Sequence, residues 1–141
     1  MPTFVVDSSI AAAWCFPDER TSYANGVMHE LSSPTGAVVP RLFAYEIRNS
    51  VLMGLRRKRI TKIEAETFLN SIQDLPIQLE DPESYGTLFQ LADRQNLTVY
   101  DAAYLDMAIR KSLPLAILDG ALIQAATRSG VPVFQPQTGT R

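Results

Sequence analysis

Four carboxylates interrupt apolar stretches of this chain: Asp7 ends the run TFVVD, Glu46 sits inside PRLFAYEIRNSVL, Asp101 opens YDAAYLDMA, and Asp119 closes LAILD. Acids in apolar surroundings are rare unless something cationic pairs with them. No run of Lys, Arg or His stands beside the four in sequence, so a divalent metal ion is the leading candidate for that cation. Two unit charges about 4 Å apart repel by about 4 kcal/mol at an effective dielectric near 20. Four acids around one cleft therefore either raise their pKa values or hold a cation. Oxygen ligands without nitrogen or sulfur suit Mg²⁺, with Mn²⁺ as its substitute. Mg²⁺ usually keeps several waters and binds through one or two carboxylates plus a substrate phosphate. The chemistry implied is metal-assisted attack of water on a phosphodiester.

Convergence of these residues needs a scaffold, and the hydrophobic pattern supplies one. Thr3 to Val6 reads as a fully buried strand, and Ala37 to Val39, Ile77 to Leu79, Leu115 to Leu118 and Val131 to Phe134 read as further short strands. Between them lie helical stretches over Ser9–Phe16, Ser22–Leu31, Leu42–Arg57, Thr61–Leu75, Ser84–Gln95, Tyr100–Lys111 and Ala121–Ser129. Thr61 and Glu64 form a capping-box pattern, and Gly130 is placed to stop the last helix. Alternating strands and helices predict an α/β fold, a central and mainly parallel sheet covered on both faces. In such sheets ligands bind outside the carboxyl ends of the strands. Asp7 and Asp119, each following a strand run, should share that edge. Glu46 has Leu42, Phe43, Asn49, Ser50 and Met53 as its helical neighbours, so it faces inward.

At 141 residues the chain reads as one domain over 1–135, followed by a loose tail over 136–141. A 46% hydrophobic fraction is enough for a folded core and argues against disorder. The net charge of -2 lacks the bulk basic balance of a nucleic-acid binder, so any such contact must come from local clustering. With one Cys and one His, neither an intramolecular disulfide nor a cysteine–histidine zinc site can form. No secretory signal pattern and no bilayer-spanning apolar run are evident, so the expected location is the cytoplasm, without membrane contact.

Each acid also has a structural alternative. Asp7 and Asp101 could be helix caps, and Asp119–Gly120 is a common turn pair. Arg56, Arg57, Lys58, Arg59 and Lys62 form the basic cluster: a solvated helix end, or a patch contacting RNA phosphates. Trp14 and Phe16 read as core packing, with a groove for a partner helix as the rival. His29 is expected at the surface, Asp106 in a surface pair with Arg110, and Tyr104 in the core rather than under a base.

The motifs taken together resemble a known family. VVDSSIAAAWCFPDE is similar to the start of a PIN-domain nuclease, in particular a VapC-type toxin of bacterial toxin–antitoxin pairs. PRLFAYEIRNSVL, carrying Glu46 and Asn49, resembles its second acidic motif. LTVYDAAYLDMAIRKSLPLAILDGALIQAA resembles the third and fourth. The resemblance implies a three-layer α/β/α sandwich and a Mg²⁺-dependent endoribonuclease with Asp7, Glu46, Asp101 and Asp119 as the acidic quartet. Asp7 and Asp101 would be the nearest metal ligands, and Glu46 and Asp119 would act through water or a second ion. Ser8, Ser9, Asn49 and Thr98 match supporting positions. A homodimer and a neutralising antitoxin are also implied, with DNA reached only through that antitoxin.

Other phosphate-handling classes fit less well. A haloacid-dehalogenase-like phosphatase wants a second Asp two residues after the nucleophile, where this chain has Ser9. A receiver domain wants a Lys after a late strand, where this chain has Asp119. A catalytically inactive RNA-binding module would need no metal at all.

Overall fold

The computed structural model describes residues 2–31 and 35–137. Its centre is a parallel sheet of four strands, β1 (Pro2–Val6), β2 (Gly36–Pro40), β3 (Ile77–Glu80) and β4 (Leu115–Ala116), in the order β3-β2-β1-β4. Val5 is opposite Val38 on one side and Leu115 on the other, so β1 lies inside the sheet. The chain steps from β1 to β2 in one direction and places β4 on the opposite flank, which makes the carboxyl end of β1 a topological switch point. Consecutive residues of a strand point to opposite faces. Phe4, Val5, Val6, Ala37, Val38 and Val39 are all fully buried, so helices cover both faces and the α/β sandwich expected from the sequence is the one observed.

Seven helices surround the sheet among the described residues: α1 (Ser8–Ala13), α2 (Ser22–Glu30), α3 (Leu42–Arg56), α4 (Lys62–Gln73), α5 (Tyr85–Gln95), α6 (Val99–Lys111) and α7 (Gly120–Arg128). Local sequence sets their ends. Thr61 and Glu64 make the reciprocal capping box at the start of α4. Gly130, at φ 75, closes α7 while the Val131 N–H reaches back to the Ala126 carbonyl at 2.8 Å. Helix α6 packs across β1 and β2, and every residue from Ala102 to Ala108 is buried.

Three elements differ from expectation. The helix expected to reach Phe16 stops at Ala13, because the N–H groups of Trp14, Cys15 and Phe16 bond three residues back, tightening the chain into turns ahead of Pro17. Strand β4 is two residues long rather than four: its last carbonyl, Ala116, accepts from the N–H of Asp7, where β1 itself ends. The expected strand over Val131–Phe134 reduces to a single bridge at Val133. Pro132 has no N–H to extend it, and the Phe134 carbonyl is taken by the Tyr23 hydroxyl at 2.7 Å. At the tail, the Gln137 N–H donates to Glu30 at 3.1 Å, so residue 137 is tied to α2, while residues 138–141 lie outside the described residues.

Gly36 lets β2 approach the segment that leads into β3. A Cβ there would lie 2.3 Å from the Pro76 carbonyl oxygen, a backbone atom in the bond that the Ala37 N–H makes at 2.9 Å. Gly36→Ala is therefore expected to destabilise the fold by about 1–3 kcal/mol. Urea denaturation followed by circular dichroism should show a lower midpoint with an unchanged slope.

Candidate active site

Asp7 is the first residue beyond β1, at the switch point. It occupies the N-cap position of α1 yet makes no capping hydrogen bond, so the helix-cap alternative does not account for its side chain. It is 7% exposed, and the hydroxyl of Ser9 is its hydrogen-bond donor. Burial pushes the Asp7 carboxyl above the usual carboxylate range, Ser9 opposes the shift, and the charges of Asp101 and Glu46 add to it.

Glu46 stands one turn into α3, half-buried. Two hydroxyls meet at its Oε1: Ser8 donates at 3.0 Å and Tyr104 at 2.6 Å. Tyr104 is fully buried, and its phenol is held well above its usual range, first by burial and then by the bond to Glu46. It therefore stays protonated and remains a donor. The core position expected for Tyr104 is correct, and its bond to Glu46 is the site contact that sequence reasoning missed. The available signal was spacing: Tyr104 follows Asp101 by three residues, on the same side of α6.

Asp101 is the third residue of α6. The cap is Thr98, whose Oγ1 accepts from the Asp101 N–H at 3.0 Å, so the hydroxyl expected near the site serves the helix terminus that aims Asp101. Burial and then the charge of Asp119 raise the Asp101 carboxyl, against a hydrogen bond from Thr98. Asp119 is exposed and caps α7, its Oδ2 accepting from the Leu122 N–H at 2.9 Å. The turn alternative fails here because Gly120 is already helical.

Glu46, Asp7, Asp101 and Asp119 thus form an electrostatic chain in which each charge is felt by the next. Among the described residues none of them pairs with Lys, Arg or His; the ion pairs engage Asp18, Glu19, Glu80, Asp81 and Asp106 instead. Nor do any three acids among those residues converge closely enough to enclose an ion by protein ligands alone. The all-oxygen donor set and the uncompensated charge at Asp7 fit a hard divalent cation whose shell is completed by water and phosphate. A groove of about 600 Å³ between α2 and residues 135–137 is lined by none of the four.

Several other expected roles change. Trp14 and Phe16 are each 3% exposed, so neither offers a surface to an antitoxin. The Trp14 indole donates to the Ala24 carbonyl at 2.8 Å, and Phe16 packs with Val51, Ile60 and Ala65. Arg59 lies over the Phe16 ring and pairs with Asp18 and Glu19 at 2.9 and 2.8 Å, which removes it from phosphate contact. Arg56, Arg57 and Lys58 are exposed at the far end of α3, about 15 Å along its axis from Glu46. Asn49 is exposed one turn beyond Glu46. Asp106 does pair with Arg110, at 2.9 Å, but in the interior rather than at the surface, because α6 is covered on nearly all sides. His29 is exposed, as expected.

The fold and this acidic edge define a class, and comparison with known proteins agrees. A PIN domain family model matches residues 4–127, and the chain belongs to the PIN-domain family. Within it the similarity is to the VapC type: the chain is 32% identical over 124 residues to Ribonuclease VapC3 of Pyrobaculum aerophilum, covering 85% of this chain and 92% of that one. The crystal structure of PAE2754 from the same organism superposes with a TM-score of 0.68 at 19% identity, over 88% of this chain and 79% of that one, and so shares the fold.

The raised carboxyls have a thermodynamic consequence. A carboxyl whose folded pKa lies above its unfolded value stabilises the fold below the ordinary pKa, near 3.8, and that contribution is lost as pH rises through the raised value. Asp7→Asn should therefore melt higher than the parent at pH 7 in chelating buffer, by roughly 4 °C for each kcal/mol of relief. Calorimetric scans should show the gap closing toward pH 3. A parent that melts higher at every pH would mean that the Asp7 charge is already compensated.

Proposed function

We propose that this chain is the toxin of a toxin–antitoxin pair, a Mg²⁺-dependent endoribonuclease neutralised by a cognate antitoxin. The observation that carries the reading is the buried Asp7 at the end of β1, repelled by Glu46 and Asp101, with Asp101 repelled in turn by Asp119, and no ion pair to Lys, Arg or His at any of the four among the described residues, in a PIN-family chain. The name of its relative, Ribonuclease VapC3, supports RNA as the substrate. The match over residues 4–127 supports a single nuclease domain across 1–135.

Asp7 and Asp101 are the residues that would hold the ion most closely, with Glu46 and Asp119 acting through water or a second ion. When bound, a divalent cation supplies Lewis-acid polarisation of a phosphoryl oxygen and an acidified water. The protein's part is positional. Ser9 holds the Asp7 carboxylate, and Ser8 and Tyr104 fix Glu46 through a single oxygen, Oε1. Thr98 sets the angle at which Asp101 leaves α6. Products with a 5′-phosphate and a 3′-hydroxyl fit this chemistry. The proposed site of action is the cytoplasm. A homodimer completes the reading.

Purified protein is expected to cut RNA with Mg²⁺ or Mn²⁺ and to fall silent with chelator. Asp7→Asn and Asp101→Asn should each lower the rate by at least a hundredfold, read on labelled RNA in denaturing gels, while remaining folded by circular dichroism. Mg²⁺ at a hundred times its Kd should raise parental stability by about 2.7 kcal/mol and leave Asp101→Asn nearly unmoved. Equal cleavage by parent and variants would overturn the mechanism. Neither cleavage nor a metal-induced shift would return the chain to a non-catalytic RNA binder.

A further inference from the structure

Two of the four acids have an exposed tyrosine as the preceding residue. Tyr45, before Glu46, is 78% exposed, and Tyr100, before Asp101, is 66% exposed. Buried tyrosines in this fold are anchored: Tyr23 bonds the Phe134 carbonyl and Tyr104 bonds Glu46. Among the described residues Tyr45 and Tyr100 have neither a hydrogen-bond partner nor a ring contact. Leu118, before Asp119, is 49% exposed and adds an apolar edge. Successive helical residues point about 100° apart, so neither ring points the way its acid does. Glu46 accepts from Ser8, which follows Asp7, and from Tyr104, one turn after Asp101, so the two helices that carry the tyrosines meet beside one site.

The site faces an electrostatic difficulty. Without a bound cation the four acids repel a phosphodiester; Arg48, exposed two residues after Glu46, bonds the Ala44 carbonyl of its own helix at 2.9 Å, and Arg56, Arg57 and Lys58 lie about 15 Å away along α3. Affinity beyond what a bound ion gives the phosphate then has to draw on contacts other than charge. Every nucleobase has a π face, and an unpacked aromatic ring at the surface binds one without a counter-charge. A base can reach such a ring only if it is unpaired and splayed from its neighbours.

We infer that Tyr45 and Tyr100 are base-stacking residues that seat two unpaired nucleotides of a single-stranded RNA on either side of the acidic centre. The inference rests on the proposed ribonuclease reading for the identity of the polymer, and on the exposure of the two rings for the mode of binding.

The test separates binding from cleavage. Fluorescence anisotropy of a labelled single-stranded RNA, in chelating buffer, reports affinity without turnover. Tyr45→Leu and Tyr100→Leu should each weaken binding about tenfold. Tyr45→Phe and Tyr100→Phe should keep parental affinity, since the ring and not the hydroxyl is used. Duplex RNA of the same sequence should bind poorly to every protein, and the Leu variants should leave its affinity unchanged. With Mg²⁺, the Leu variants should raise KM and leave kcat within a few-fold. Leu variants that bind and cut single strands like the parent would overturn the stacking role while leaving the ribonuclease reading intact. Tyr-dependent binding without Mg²⁺-dependent cleavage would do the reverse. Loss of affinity in the Phe variants as well would assign the hydroxyls, not the rings, and defeat the inference.

Discussion

Like-charge repulsion at the end of β1 is the constraint to which the rest of this molecule answers. Asp7 is nearly buried, and the residues whose charges reach it are acids. A fold that holds such a group accepts a cost that well-chosen apolar residues would remove. The cost is accepted at Asp7, where β1 gives way to α1 and the strand order reverses, and again at Asp101, whose charge reaches it. The neighbouring strands carry no such burden: β2 is buried along its whole length and is apolar apart from its backbone.

Each charge is brought to this point by a different local device. Asp7 arrives with the end of a central strand, Glu46 one turn into a helix, Asp101 behind a threonine cap, and Asp119 as a cap itself. Three of these positions are held by a specific bond: the Asp7 N–H to the Ala116 carbonyl, the Asp101 N–H to Thr98 Oγ1, and the Leu122 N–H to the Asp119 carboxylate. Rigid placement matters here, since mutual repulsion would otherwise drive the carboxylates apart. The buried Tyr104 hydroxyl and the Ser8 hydroxyl oppose that tendency at Glu46 without supplying positive charge.

Much of this was legible from residue types. Apolar β-branched runs gave the central strands, because full burial on both faces leaves no other pattern. The capping box at Thr61 and the stop at Gly130 were local and therefore readable. The failures were tertiary. Pro132 and the Tyr23 hydroxyl ended a strand that looked as β-prone as any other, and the Tyr23 contact spans 111 residues of sequence. Asp106 looked like a surface partner for Arg110 until α6 proved to be wrapped by other elements, a property that i,i+4 spacing does not encode. Arg59 looked like part of a basic run until the turn at Asp18 and Glu19 took it up. The four acids were found because charge in apolar sequence is conspicuous; what holds them in place was hidden because hydroxyl donors are not.

The distribution of the cations completes the physical case. Arg41, Arg59, Arg110 and Lys111 are all committed to acids outside the site, at distances from 2.6 to 3.0 Å. A lysine or arginine beside Asp7 would neutralise it more cheaply than any ion drawn from solution, and would also occupy the space in which a phosphate must lie. Neutral donors avoid both outcomes. A hydroxyl fixes a carboxylate oxygen in position while leaving its charge available, so the attraction for a dissolved divalent cation stays undiminished until that cation arrives. The pairing of acids with serine and tyrosine rather than with lysine is thus the arrangement expected of a site that must be filled from outside the chain.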